Sequence, residues 1–189
     1  MNNAAEEEIR ARIDKWGRIT FAEFMELALY HPTGGYYCVD SPIGARGDYY
    51  TSPTAHPAFG AAITVMLQNM WEALGRPSPF HVVEMGAGDG LLTRDIAAFA
   101  PILSDNLAQN LRYTTLDRTS RSPVYGLHET SLNQIITTGV PLRDVVGCML
   151  SNELVDAFPV AQFEVREGIP QEVYVALSKE EYHEVLDYP

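Results

Sequence analysis

The chain has 189 residues, 46% of them hydrophobic, enough to bury a substantial core. A formal charge of −12, with 13 Lys+Arg against 25 Asp+Glu, argues against nucleic acid as a partner, because gripping a phosphate backbone needs a concentrated basic surface. Two cysteines, Cys38 and Cys148, are too few for a disulfide framework and too far apart for zinc-ligand spacing, so no metal site is expected and a reducing compartment fits.

The acidity serves solubility or attracts a basic protein partner. No apolar run reaches membrane-spanning length, and Glu6 to Glu8 stand where a secretory or transit peptide would be basic. A cytoplasmic protein without membrane contact is the expectation from composition.

Residues 4 to 16 place Ile9, Ile13 and Trp16 at helical spacing, with glutamates in the first turn where the helix dipole favours them. A second helix opens on a capping-box pattern, Thr20 with Glu23, runs through Phe24, Met25 and Ala28, and stops at His31-Pro32. From His31 to Pro57 periodicity disappears and Gly, Pro and Tyr accumulate. The tyrosines supply apolar surface, so this stretch reads as an ordered loop lying over another part of the molecule. Residues 58 to 74 predict a strongly apolar helix with Phe59, Ile63, Met66, Leu67, Met70, Trp71 and Leu74 facing the core.

A strand over His81 to Glu84, a glycine turn and a helix from Leu91 to about Phe99 come next. Tyr113 to Leu116 predicts a second strand ending at Asp117, and Val145 to Leu150 a buried strand ending at Ser151-Asn152. Strands alternating with helices imply a parallel sheet with right-handed crossovers. Gln162 to Val165 and Glu172 to Ala176, flanking Glu167-Gly168-Ile169-Pro170, predict a hairpin outside that sheet.

The chemistry concentrates in Glu84-Met85-Gly86-Ala87-Gly88-Asp89-Gly90. Glycine lets backbone approach a ligand that a Cβ would strike, and the following helix aims its amides into the gap. Leu91 stands where a dinucleotide-type turn has its third glycine, and Glu84 would repel a pyrophosphate. The same carboxylate suits the ammonium of an amino-acid moiety, which S-adenosylmethionine carries. Asp117, at the end of the next strand, can accept from both ribose hydroxyls, or be a solvated turn residue. It lies 31 residues after Gly86, so the helical region between must be longer than in the dinucleotide pattern or interrupted, as Pro101 suggests.

At the end of the last strand, Glu153 and Asp156 are three apart, which brings both carboxylates to one side if a helical turn begins there. Such a pair can hold a guanidinium and take its proton, although Asn152 and Glu153 also read as an ordinary helix cap.

These blocks resemble the MidA-like methyltransferases, a family that includes the mitochondrial complex I assembly methyltransferase and bacterial relatives. The resemblance rests on Tyr30-His31-Pro32, Gly35-Tyr36-Tyr37, Gly47-Asp48-Tyr49, Thr51-Ser52-Pro53, Phe59-Gly60, Glu84-Met85-Gly86-Ala87-Gly88, Asn152-Glu153-Leu154 and Asp156-Ala157-Phe158-Pro159, in the family's order. Asp117 departs from the family's usual glutamate, and the family's third strand has Ile135-Ile136 as its sole candidate here. Members are considerably longer, so the resemblance implies the cofactor-binding half of the protein.

What the resemblance implies is an α/β protein with a partial Rossmann-like class I methyltransferase sheet. An N-terminal helical region and cofactor-covering loop would occupy 1–78, the core 79–160, and the start of a β-hairpin substrate-side insertion 161–189. Glu84, Gly86, Ala87, Gly88, Gly90 and Asp117 would hold S-adenosyl-L-methionine, and Gly47, Asp48, Thr51 and Ser52 would close over it. Asn152, Glu153 and Asp156 would orient a protein nitrogen, an arginine in the family's mitochondrial member, whose compartment in a eukaryote is the matrix. An open sheet edge implies self-association. The competing readings are a non-catalytic assembly or scaffold protein that keeps the fold as a frame, and a nicotinamide oxidoreductase, which the glycine spacing and Glu84 disfavour.

Overall fold

The structure is a computed structural model and describes residues 4–38, 52–118 and 132–188. In chain order the elements are α1 (Ala4–Trp16), β1 (Ile19–Thr20), α2 (Phe21–Tyr30), α3 (Ser52–Ala55), α4 (Ala58–Ala73), β2 (Phe80–Met85), α5 (Leu91–Leu103), α6 (Asp105–Asn110), β3 (Leu111–Asp117), β4 (Leu132–Ile136), β5 (Gly147–Ser151), β6 (Phe163–Arg166), β7 (Ile169–Ser178) and β8 (Glu181–Asp187). They form two compact units, Met1–Pro42 with Val155–Pro189, and Ile43–Leu154. This grouping differs from the divisions at 78 and 160 expected from the sequence: α4 belongs with the parallel sheet, and the C-terminal strands belong with the N-terminal helices.

In the first unit Ala5, Ile9 and Ile13 bury one face of α1. Trp16 does not join them. It is exposed, with the Lys15 ammonium over its ring at 4.8 Å. The capping box of α2 forms as its sequence predicts: Glu23 N donates to Thr20 Oγ1 and Thr20 N to Glu23 Oε2, each at 3.1 Å. β7 is the antiparallel partner of β1, β6 and β8, and its Val175 packs with Ile9, Ile13, Ile19 and Leu27. The expected hairpin is β6 with β7, turning at Glu167-Gly168, both left-handed. The sequence reading missed β8, because charged residues crowd its Glu-Tyr-His-Glu run and obscure the alternation that marks a strand.

In the second unit four parallel strands run in the order β4-β3-β2-β5. Ile135-Ile136 does lie in the third strand: β4 pairs with β3, Leu116 opposite Ile135. Phe80, Val82 and Tyr113 build the core with Leu92 and Ile96 of α5 and Leu67 and Trp71 of α4. The buried line of α4 is Gly60, Thr64, Leu67 and Trp71. Met66, Met70 and Leu74, expected in the core, are exposed. Small residues explain the rotation, since Gly60 lets α4 approach α5 so closely that a Cβ there would lie 2.5 Å from Asp95 Cβ. α5 continues through Pro101 to Leu103, and Ser104 then caps α6. This helix pair accounts for the long interval between Gly86 and Asp117.

Candidate functional site

β2 and β3 end side by side, and the glycine turn leaves the carboxyl end of β2. Gly86 N donates to Leu116 O at 2.8 Å, fixing the start of the turn to β3. Gly86 has φ +71, and a Cβ on it would lie 2.7 Å from Leu154 Cδ1. Gly88 has φ +54 with nothing within 4 Å of its Cβ position, so the backbone there borders open space. Ala87 accepts from Gly90 N at 2.9 Å, and Gly90 caps α5 in a left-handed conformation. The arrangement is a bare backbone cradle beside a helix N-terminus.

Two carboxylates flank the cradle. Asp117 ends β3 and accepts the Gly88 N–H on Oδ2 at 2.9 Å, which ties the turn to the neighbouring strand. Glu84 points to the helix-covered side of the sheet and is buried. Its Oε2 accepts from Thr93 Oγ1 at 2.6 Å and from Tyr113 OH at 2.8 Å. Burial raises its carboxyl above the ordinary range; the two hydroxyls pull it partly back and Asp117 pushes it up. Burial and the Glu84 charge hold the Tyr113 hydroxyl well above its usual value, so it remains a donor. Thr93 and Tyr113 were not singled out by sequence reasoning. A threonine in an apolar helix and a tyrosine in a strand carry no signal until the register that sets Tyr113 opposite Val82 is known.

The segment after β5 lies against the same turn through Leu154. Asn152 is half-buried and Glu153 exposed, and Glu153 Oε1 accepts from Ser52 N, at the start of α3, at 3.4 Å. The expected helical turn over 153 to 156 is not formed. Glu153 has φ +49, and the 3₁₀ turn runs over Val155–Ala157. Asn152 therefore caps no helix, and Asp156 belongs to the other compact unit. Gly47, Asp48 and Thr51 lie outside the described residues.

A parallel sheet with a left-handed glycine turn after one strand and an acid ending the next is the architecture of Rossmann-like cofactor-binding folds. The model of the family described as "Putative S-adenosyl-L-methionine-dependent methyltransferase" matches residues 62–189, and the chain belongs to that family. It is 33% identical over 190 residues to the mitochondrial protein arginine methyltransferase NDUFAF7 homolog of Drosophila melanogaster, an alignment covering 89% of this chain and 44% of that protein. Against the mitochondrial protein arginine methyltransferase NDUFAF7 of Homo sapiens the identity is 29% over 195 residues, covering 87% and 43%. In fold the chain is similar to a COG1565 superfamily member from Burkholderia thailandensis, crystallised bound to S-adenosyl-homocysteine, with TM-score 0.79 and 23% identity over 98% of this chain and 50% of that one. The chain thus spans less than half the length of the curated relatives it matches.

The names of these relatives place them in mitochondria. Among the described residues no helix is long and apolar enough to cross a membrane.

Proposed function

We propose that the chain forms the cofactor-binding half of a protein methyltransferase that uses S-adenosyl-L-methionine and acts on an arginine nitrogen. The observation that carries this reading is the Gly86–Gly88 cradle flanked by Glu84 and Asp117, two carboxylate acceptors suited to an ammonium and a ribose and hostile to a pyrophosphate. The cofactor, when bound, supplies an electrophilic methyl group. Glu84 meets the amino-acid end and Asp117 the ribose hydroxyls, and Gly86, Ala87, Gly88 and Gly90 let the backbone come close. Asn152 and Glu153 orient the acceptor, and Glu153 takes up the proton that leaves its nitrogen.

The acceptor class is drawn from the two named relatives, both protein arginine methyltransferases. By the same relation, the chain in a eukaryotic cell works in the mitochondrial matrix. Calorimetric titration with S-adenosyl-homocysteine tests the cofactor assignment. Saturable binding with one ligand per chain is expected, and its absence from a folded chain leaves the scaffold alternative.

A further inference from the structure

Glu84 is an expensive choice for its position. An amide could accept from the same hydroxyls, and an apolar residue would need none, whereas a buried carboxylate carries a desolvation cost. The chain nevertheless sets Glu84 between Thr93 and Tyr113, which are both fully buried. The two donors come from different elements, α5 and β3, and converge on the same oxygen, Oε2. Among the described residues both hydrogen bonds to the Glu84 carboxylate end on Oε2 and neither on Oε1.

We infer that Thr93 and Tyr113 are positioning residues of the cofactor site: by holding Oε2 of Glu84 they leave Oε1 to take the ammonium at the cofactor's amino-acid end. The inference rests on the proposed function above. The hydroxyls also keep the carboxylate charged, opposing its burial. The groups facing this centre are Thr93 from α5, Tyr113 and Asp117 from β3, and Cys148 of β5 against Tyr113. Loss of either hydroxyl therefore raises the pH at which Glu84 takes up a proton and releases the ammonium.

Two probes separate this role from a structural one: S-adenosyl-homocysteine, which has the ammonium, and methylthioadenosine, which lacks the amino-acid end. Calorimetry across the weakly acidic to neutral range is expected to show that Tyr113→Phe and Thr93→Val weaken S-adenosyl-homocysteine by roughly three- to tenfold and leave methylthioadenosine within about twofold. Both variants move the acid limb of S-adenosyl-homocysteine affinity to higher pH. Thr93→Ser, which keeps the hydroxyl, restores affinity and limb, and Glu84→Gln removes the limb. If Tyr113→Phe does not fold, the Thr93→Val and Thr93→Ser pair decides.

Equal weakening of both probes, or an unchanged acid limb in the hydroxyl variants, overturns the inference while leaving the cofactor assignment intact. Failure of the unaltered, folded chain to bind either probe overturns both.

Discussion

Leu154 sits against the glycine turn so closely that a Cβ on Gly86 would lie 2.7 Å from its Cδ1. The segment after β5 thus rests on the backbone of the glycine turn, next to the open space at Gly88. Gly86→Ala meets this contact and also a left-handed φ of +71. The expected cost is roughly 2–4 kcal/mol of stability, from backbone strain and overpacking together. Urea denaturation checks it, and Leu154→Ala in the same chain should recover part of the loss. A Gly86→Ala protein as stable as the parent contradicts the contact.

Asp117 holds Gly88 N through Oδ2, so one side chain both shapes the turn and stands where ribose hydroxyls are expected. Asp117→Ala should weaken S-adenosyl-homocysteine and methylthioadenosine alike, by roughly tenfold or more, since both contain the ribose. Unchanged affinity for both ligands would remove Asp117 from the site.

Glu153 adopts φ +49, a conformation that costs a side-chain-bearing residue about 1 kcal/mol and costs glycine nothing. Glu153→Gly is therefore expected to be as stable as the parent or up to about 1 kcal/mol more stable. Glu153→Ala should be the less stable of the two. In a protein extended to the length of its relatives, both variants should bind cofactor and transfer methyl groups far more slowly. Undiminished turnover by Glu153→Ala would exclude this carboxylate from the chemistry.

The raised Glu84 carboxyl predicts a pH dependence of stability. The folded chain holds this proton to higher pH than the unfolded chain, so protonation favours the native state. As pH rises from the ordinary carboxylate value through the folded-state value, stability falls. Glu84→Gln should lose that decline and be at least as stable as the parent at neutral pH, though it binds S-adenosyl-homocysteine poorly. A parallel pH profile for the two proteins would show that Glu84 does not titrate in this window.

Among the described residues β5 pairs with β2 alone, leaving its other edge open, and its Met149 is exposed. Concentration-dependent self-association is expected, and Met149→Lys should reduce it because a charge on an edge strand opposes pairing. Sedimentation that shows a monomer at every concentration would rule this out.

Much of this was legible beforehand because it depends on local chemistry. The Thr20–Glu23 box and the strand–glycine–helix passage at Val82 to Leu91 both carry their signals within a few residues, whereas Ile135-Ile136 marked a strand only through the family resemblance. What escaped depends on contacts distant in sequence. Which face of α4 is buried was decided by the approach of Gly60 to Asp95, so the largest apolar residues did not mark it. Thr93 and Tyr113 acquire a role only where α5 and β3 meet over Glu84. The left-handed backbone at Glu153 displaced the expected helical turn, and no pattern of residue types announces it.

The most direct measurement is calorimetric titration of the folded chain and its Gly86→Val variant with S-adenosyl-homocysteine and with a nicotinamide dinucleotide. If the glycine turn is the cofactor site, S-adenosyl-homocysteine binds the parent one to one, the dinucleotide does not bind, and the folded variant binds neither. Undiminished S-adenosyl-homocysteine affinity in the folded Gly86→Val variant, or preferential binding of the dinucleotide by the parent, would contradict the assignment.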